Sequence, residues 1–285
     1  MTSKTIKTRA KINLTLDVLY KREDGYHELE TIFQSIDLYD VLEFKPYKKD
    51  IIIKCNHPGL PTDAGNIVYA AANLLKKEYN IDKGIEITID KNIPVGSGLG
   101  GGSSNGAGTL KMLNILWDLN LPMERLMELG KRLGADIPFC LLGGTALARG
   151  IGERLEPLPP FPTKWLVLVK PNFSVSTSWA YQNINFQKGA RDSNIQNIIQ
   201  ELDRWDIRKA IPYLRNKFEE VVIPAYPEIN KIKEKMVDLG GELALMSGSG
   251  PVVFGICKDK KGARQIYNYF KEKYGEVFMV KTYNE

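Results

Sequence analysis

The segment Ile93-Pro-Val-Gly-Ser-Gly-Leu-Gly-Gly-Gly-Ser-Ser-Asn-Gly106 constrains this chain more than any other, because positions 96–106 hold six glycines. Inside a helix or strand each would cost about 0.5–1 kcal/mol relative to alanine. Six would cost about 3–6 kcal/mol, close to the lower end of a whole domain's stability of ~5–15 kcal/mol. A loop that needs positive φ or close backbone approach accounts for them better. Ser103, Ser104 and Asn105 are residue types that cap helices, and helical sequence follows, so a helix is expected over about 103–118. A helix N-terminus preceded by bare main-chain N–H groups attracts an anion, phosphate foremost. A flexible linker fits poorly, since the apolar alternation Ile85, Ile87, Ile89 and the helical sequence flank the run directly.

Three kinds of phosphate loop compete. A Walker loop ends in Gly-Lys-Ser/Thr, and no lysine follows these glycines. The spacing Gly96-x-Gly98-x-x-Gly101 fits the dinucleotide pattern, but glycine-dense sequence matches it cheaply. That fold also needs a strand ending in an acidic residue ~20 positions on; Asp118 has the spacing, yet Leu119 to Leu133 reads as helix. A protein-kinase glycine loop needs catalytic-loop and metal-aspartate motifs downstream, and neither is present.

Around the run, Thr5 to Tyr20 predicts a strand in which Ala10, Ile12, Leu14, Leu16 and Val18 alternate with Lys11, Asn13, Thr15 and Asp17. Lys11 and Asn13 therefore share a face, opposite the apolar set. Residues 66–79 predict a helix with Ile67, Ala70, Ala71, Leu74 and Leu75 on one side, and 122–133 another burying Leu126, Met127, Leu129 and Leu133. Residues 144–158 read as a hairpin. Beyond it, Trp165 to Val169 reads as a buried strand, and helices are expected near 176–183, 193–214 and 227–239. Strand, glycine turn and strand follow over 243–257, then a helix (261–273) and a last strand (276–282). Four prolines in Glu156–Pro162 mark a boundary, giving domains 1–158 and 159–285. The mixture lacks strict βαβ alternation, so the fold class is α+β in two domains.

Composition narrows the function classes. With 285 residues, 43% hydrophobic and 26% charged, the chain can bury a core without disulfides or structural metal. Cys55, Cys140 and Cys257 are scattered, and with two histidines and no C-x-x-C no zinc site of standard spacing exists. The start has no apolar leader and no stretch approaches 18 apolar residues, so a cytoplasmic protein without membrane partners is expected. A net charge of +5 in short clusters argues against nucleic acid and suits a small polyanion. Oligomeric state is expected to be monomer or weak homodimer.

The glycine run resembles the phosphate loop of the GHMP kinases, the small-molecule kinases that include galactokinase, homoserine kinase and mevalonate kinase. Ala10-Lys-Ile-Asn-Leu-Thr-Leu16 before it and Leu245-Met-Ser-Gly-Ser-Gly-Pro251 after it resemble two further motifs of that family, in the same order. Asp24-Gly-Tyr-His27, the segment Ile89–Ala107 and Gly134-Ala-Asp-Ile-Pro138 are similar to the branch that phosphorylates a cytidine diphosphate-linked methylerythritol, in the non-mevalonate isoprenoid pathway. Another GHMP kinase acting on a mevalonate- or homoserine-like alcohol is the alternative. The resemblance implies a mixed α/β nucleotide-binding domain followed by a ferredoxin-like α+β domain, with ATP and Mg²⁺ as cofactors. Two departures stand out: Gly106 where alanine is common, expected to loosen the first helical turn, and Gly65-Asn66-Ile67 in place of Asp-Asn-Leu.

What the resemblance implies for single residues is as follows. Asp136 is the catalytic base, although its place after a helix and before Pro138 would equally suit a capping aspartate. Lys11 stands beside it, keeps it ionised and stabilises charge on the attacking oxygen; by sequence alone it is a solvated strand lysine. Pro94, Val95, Gly96, Ser97, Gly98, Leu99, Gly100, Gly101, Gly102, Ser103 and Ser104 bind ATP, with Ser104 a candidate Mg²⁺ ligand. Asn66 and Lys91 lie near adenine, Lys91 being equally readable as an exposed strand-end lysine. Asn13 binds the substrate diol, Tyr26 and His27 stack on and read the cytosine, and Thr177 and Tyr181 add contacts, Tyr181 as a second stacking ring. The second glycine turn, Ser247 to Gly250, packs against the phosphate loop.

Overall fold

The computed structural model describes residues 3–185, 195–203 and 207–284. In chain order its elements are β1 (Lys4–Lys21), β2 (His27–Tyr47), β3 (Ile51–Cys55), α1 (Ile67–Glu78), β4 (Gly84–Asp90), α2 (Gly101–Leu116), α3 (Met123–Lys131) and α4 (Ile137–Leu142). They continue with β5 (Thr145–Gly150), β6 (Arg154–Pro157), β7 (Trp165–Lys170), α5 (Thr177–Asn183), α6 (Ile195–Asp203) and α7 (Ile207–Ala210). The chain closes with α8 (Glu219–Ala225), α9 (Glu228–Asp238), β8 (Gly241–Met246), β9 (Val253–Cys257), α10 (Lys260–Lys271) and β10 (Glu276–Lys281).

These elements form two compact units that are discontinuous in sequence. One comprises Met1–Ala10, Leu38–Val95 and Gly100–Leu142; the other comprises Lys11–Asp37, Gly96–Leu99 and Gly143–Glu285. The division expected at 158/159 is linear, whereas the long strands β1 and β2 each lend one half to each unit. In the first unit β3 pairs parallel with β4, and β4 pairs antiparallel with Val41–Tyr47 of β2. Its core joins Leu42, Phe44 and Ile53 to Ile87, Ala71, Leu75, Leu110, Leu113, Leu129 and Ile137.

In the second unit Leu29–Gln34 of β2 pairs antiparallel with β5, which forms a hairpin with β6. A separate four-stranded antiparallel sheet has the order β10-β7-β9-β8. Since β9 runs antiparallel to both β7 and β8, those two are parallel with a strand between them, the split βαβ of a ferredoxin-like domain. Val167, Val169, Val222, Ile229, Ile232, Met236, Ile266 and Phe270 fill its core.

Several expectations need correction. The buried stripe of α1 is Val68, Ala71, Ala72 and Leu75, with Ile67, Ala70 and Leu74 only partly covered; the face is rotated from the one expected. In α3, Leu126 and Leu129 are buried while Met127 is half-exposed, and Leu133 falls in the turn past the helix end, also half-exposed. The helix expected over 193–214 is α6, α7 and a 3₁₀ turn at Ile211–Tyr213, and the expected residues 193, 194 and 204–206 lie outside the described residues. The strands β2 and β3 and the helices α4 and α8 had not been anticipated.

Candidate active site

The glycine run folds as a loop whose geometry depends on missing side chains. Gly98 has φ 78°, and a Cβ there would stand 2.3 Å from the carbonyl oxygen of Ser247. Gly100, at φ 69°, is the N-cap of α2 and contributes no side-chain hydrogen bond. Helix α2 therefore begins two residues earlier than expected, and Ser103, Ser104 and Asn105 lie inside its first turns instead of capping it. A left-handed glycine ends the loop without a Cβ to clash, so the serines are spent elsewhere. The hydroxyl of Ser104 donates to the carbonyl of Arg9 at 2.6 Å, and the side chain of Asn105 accepts from Thr8 Oγ1 at 2.7 Å. With no side chain capping α2, its first main-chain N–H groups have the character of an anion site. Gly106 lies in the second turn, not the first; a Cβ there would reach Ile67 and Ile137 at 3.2 Å, so absence of a methyl serves packing.

Asn66 and Lys91 have structural work in the first unit. Asn66 caps α1, its Oδ1 accepting from Val68 N at 2.9 Å while its Nδ2 donates to the Pro61 carbonyl at 2.7 Å. Lys91 is not an exposed strand-end lysine. Its side chain is 5% exposed and ion-pairs at 2.9 Å with the fully buried Asp40, and it also donates to the Ile93 carbonyl. Asp40 in turn accepts from the main-chain N–H groups of Asn92 and Ile93 at 2.6 and 2.7 Å. This buried pair ties the chain leading into the glycine loop onto β2. Asp40 was missed because a lone aspartate in a long strand looks like a surface residue. Pro94 is buried and Val95 exposed. Asp136 immediately precedes α4, partly exposed, and its carbonyl accepts from Cys140 N at 3.0 Å. Pro138 falls in the first turn of α4, where its missing N–H costs nothing; the turn comes before it, at Ala135–Asp136.

In the second unit, the polar face of β1 is buried rather than solvated. Lys11 is 5% exposed and Asn13 2% exposed. Lys11 Nζ donates to Asn13 Oδ1 at 3.0 Å, Asn13 Nδ2 donates to Thr31 Oγ1 at 2.8 Å, and Thr31 Oγ1 donates to the Thr15 carbonyl at 2.6 Å. The ammonium also lies 4.6 Å from the centre of the Phe33 ring. At the far end of the face, Arg215 grips Asp17 with both carboxylate oxygens, at 2.9 and 3.0 Å. The main-chain N–H of Lys11 donates to the Leu99 carbonyl at 2.9 Å, which anchors this end of the glycine loop to the strand.

The second glycine turn packs on the same stretch. Ser247 Oγ donates to the Gly98 carbonyl at 3.1 Å, and Val252 N to that of Ser97 at 3.4 Å. Asn216, which sequence reasoning missed, holds that turn with Nδ2 donating at 2.7 Å to the carbonyls of both Met246 and Gly248. Thr177 opens α5 and shares a 2.8 Å hydroxyl–hydroxyl hydrogen bond with Ser249.

Tyr26 and His27 leave the turn after β1. Tyr26 is 60% exposed, a ring available to a ligand. His27 stacks on Tyr181 with ring centres 4.8 Å apart and planes 19° from parallel, and Tyr181 meets Phe218 edge-on. The structure thus brings together His27 and Tyr181, which are 154 positions apart in sequence. One face of Tyr181 is taken by His27, so these two do not sandwich a third ring. Burial, and then the charge of Lys21, hold the His27 imidazole below its usual pKa. Its ring is therefore neutral at pH 7, able to donate from one nitrogen and accept at the other.

Comparisons with known proteins agree with this architecture. The family described as GHMP kinases N terminal domain matches residues 66–144, and GHMP kinases C terminal matches residues 197–276. Together they define the class: a two-domain kinase of the GHMP type. Within that class, a 4-diphosphocytidyl-2-C-methyl-D-erythritol kinase of Enterococcus faecalis is 47% identical, covering 96% of this chain and 96% of its own. One of Clostridium botulinum is 45% identical over 97% and 99%. The crystal structure of a 4-(cytidine 5'-diphospho)-2C-methyl-D-erythritol kinase superposes with a TM-score of 0.85 at 33% identity, covering 99% of this chain and 100% of that one. The chain belongs to the 4-diphosphocytidyl-2-C-methyl-D-erythritol kinase family. Among the described residues, no helix is long and apolar enough to cross a membrane.

Proposed function

We propose that this chain transfers the γ-phosphoryl group of ATP to the 2-hydroxyl of 4-diphosphocytidyl-2-C-methyl-D-erythritol, a step of non-mevalonate isoprenoid synthesis. The single observation that carries the chemistry is the open N-terminus of α2 behind left-handed glycines, the arrangement that suits a phosphate. The hydroxyl oxygen attacks the γ-phosphorus, the bond to the β–γ bridging oxygen breaks, ADP leaves, and Asp136 takes the hydroxyl proton. Such transfer asks the protein mainly for positioning and charge stabilisation. Lys11 supplies the positive charge for the attacking oxygen, and Asn13, its amide fixed by Thr31, orients the diol. Main-chain N–H groups over residues 96–104 hold the phosphates. Asn66 and Lys91 serve the nucleotide by fixing the segments that carry it.

Tyr26 offers its exposed ring to the cytosine, and His27, seated on Tyr181, reads a polar edge of the base. Thr177 fixes the second glycine turn through Ser249. Among the described residues no three His, Cys, Asp or Glu side chains gather to hold a metal. A Mg²⁺ carried in on the nucleotide would need only one or two protein oxygens beside phosphate oxygens and water. Ser104 is the one protein hydroxyl we assign to it, its proton given to Arg9 and its lone pairs left over. When bound, the ion neutralises charge on the β- and γ-phosphates. Residues 1–158 form the nucleotide half in this reading and 159–285 the second half. Incubation with ATP and each of the cytidyl alcohol, mevalonate and homoserine tests it. ADP release with the cytidyl alcohol alone is expected; release with either of the others but not with it overturns the reading.

A further inference from the structure

Asn216 is buried, 4% exposed, in a short segment that lies along β1. Leu16 N donates to the Arg215 carbonyl and Lys217 N to the Leu16 carbonyl, both at 2.8 Å, so the backbone on either side of Asn216 is fixed to that strand. From there its side chain reaches the second glycine turn. Nδ2 gives both its protons to the carbonyls of Met246 and Gly248, at 2.7 Å each, while Oδ1 accepts from Phe218 N at 3.0 Å. Three residues on, Glu219 accepts from Met246 N at 2.7 Å. Strand β8 is an edge of its sheet, and these two side chains take the place of a neighbouring strand at its last residue.

The turn itself closes without Asn216, since Gly250 N donates to the Ser247 carbonyl at 3.0 Å. What Asn216 adds is where the turn sits. Ser247 Oγ donates to the Gly98 carbonyl at 3.1 Å. A Cβ on Gly248 would stand 3.3 Å from the Gly98 carbonyl oxygen and 3.6 Å from Asn13 Oδ1, so the bare α-carbon of the turn faces both. Gly98 belongs to the run assigned to the ATP phosphates, and Asn13 is the residue assigned to the diol. The turn thus touches one residue from the seat of each reactant, and its place sets their spacing. Transfer is sensitive to that spacing: a shift of ~1 Å imposed from a distance can cost about 10²-fold in rate.

We propose, building on the function given above, that Asn216 is a positioning residue for phosphoryl transfer, acting through the second glycine turn that it seats against Gly98 and Asn13.

Asn216→Asp tests this at constant shape. The carboxylate still accepts from Phe218 N but has no proton for the two carbonyls. In steady-state kinetics kcat is expected to fall at least about tenfold. KM for the alcohol stays within about threefold, because Tyr181 and His27 rest on the Phe218 side, which keeps its hydrogen bond. A merely structural role would raise that KM as kcat fell. Ser247→Ala removes the bond to Gly98 and leaves Asn216 in place, and kcat should fall at least about threefold. The double variant should fall no further than Asn216→Asp alone, since both act through one turn. An unchanged kcat in Asn216→Asp, a KM for the alcohol that rises in step, or losses that multiply in the double variant overturns the proposal. Should Asn216→Asp fail to fold, Ser247→Ala decides: a lowered kcat at constant KM supports the proposal and an unchanged kcat overturns it. Each variant is read against the unaltered chain on whichever alcohol that chain phosphorylates, so a different substrate leaves the test of Asn216 readable.

Discussion

Two neighbouring stretches of the second unit are built in opposite ways. Gly96–Leu99 is shaped by backbone: left-handed glycines, and the carbonyls of Ser97, Gly98 and Leu99 accepting from Val252, Ser247 and Lys11. The face Lys11–Asp17 is shaped by side chains, each fixed by the next through Asn13, Thr31, Thr15 and Arg215. The first should fail when a methyl is added at Gly98, where it meets the Ser247 carbonyl. The second depends on particular oxygen and nitrogen atoms and should fail when one is exchanged at constant shape.

The largest expected effect lies in the chemistry proposed for both stretches. Asp136→Asn should lower kcat by about 10²–10⁴, the usual worth of a general base, while KM for ATP stays within a few-fold; steady-state kinetics with an unchanged kcat would remove Asp136 from that role. Gly98→Ala breaks the backbone stretch. Its left-handed conformation alone costs an alanine about 1–2 kcal/mol, and its Cβ meets the Ser247 carbonyl. A rise in KM for ATP of at least about tenfold is expected, and a KM and melting temperature both unchanged would contradict the close approach. Thr31→Val breaks the side-chain stretch at constant shape, leaving Asn13 Nδ2 without its acceptor at a cost of about 1–3 kcal/mol. KM for the cytidyl substrate should rise while KM for ATP does not, and Thr31→Ser should restore it.

The smallest effect concerns pH. The folded-state pKa of His27 is depressed, chiefly by burial. What the neutral ring contributes is therefore present above the ordinary histidine pKa of about 6.5 and lost as pH falls through the lower folded value. KM for the cytidyl substrate should rise over that interval, and His27→Gln should flatten the profile. A profile identical in the variant would detach His27 from the base.

Legibility in the sequence followed burial. Strand β1 could be read because its faces alternate cleanly, and the hairpin 144–158 because glycines bound it. Strand β2 could not, though it is the longer: its acidic residues look like surface yet are neutralised at a distance, Glu28 by Arg154, Glu30 by Arg149 and Asp40 by Lys91. The start of α2 was misjudged because serines are better caps than glycine by type, while here the conformation, not the hydrogen bond, decides. Helix α8 contains Pro224, which reads as a break. At the site, the loop and Lys11 with Asn13 were legible; the burial of Lys11, the pairing of Lys91 with Asp40 and the hold of Asn216 on the second glycine turn depend on residues distant in sequence.

The central claim is phosphoryl transfer to one particular hydroxyl. Phosphorus NMR of the chain with ATP, Mg²⁺ and 4-diphosphocytidyl-2-C-methyl-D-erythritol tests it most directly. The account predicts a new phosphomonoester signal on the 2-oxygen, growing in equal amount with ADP and lost in Asp136→Asn. ADP appearing with free phosphate and no ester, or an ester on another oxygen, would contradict it.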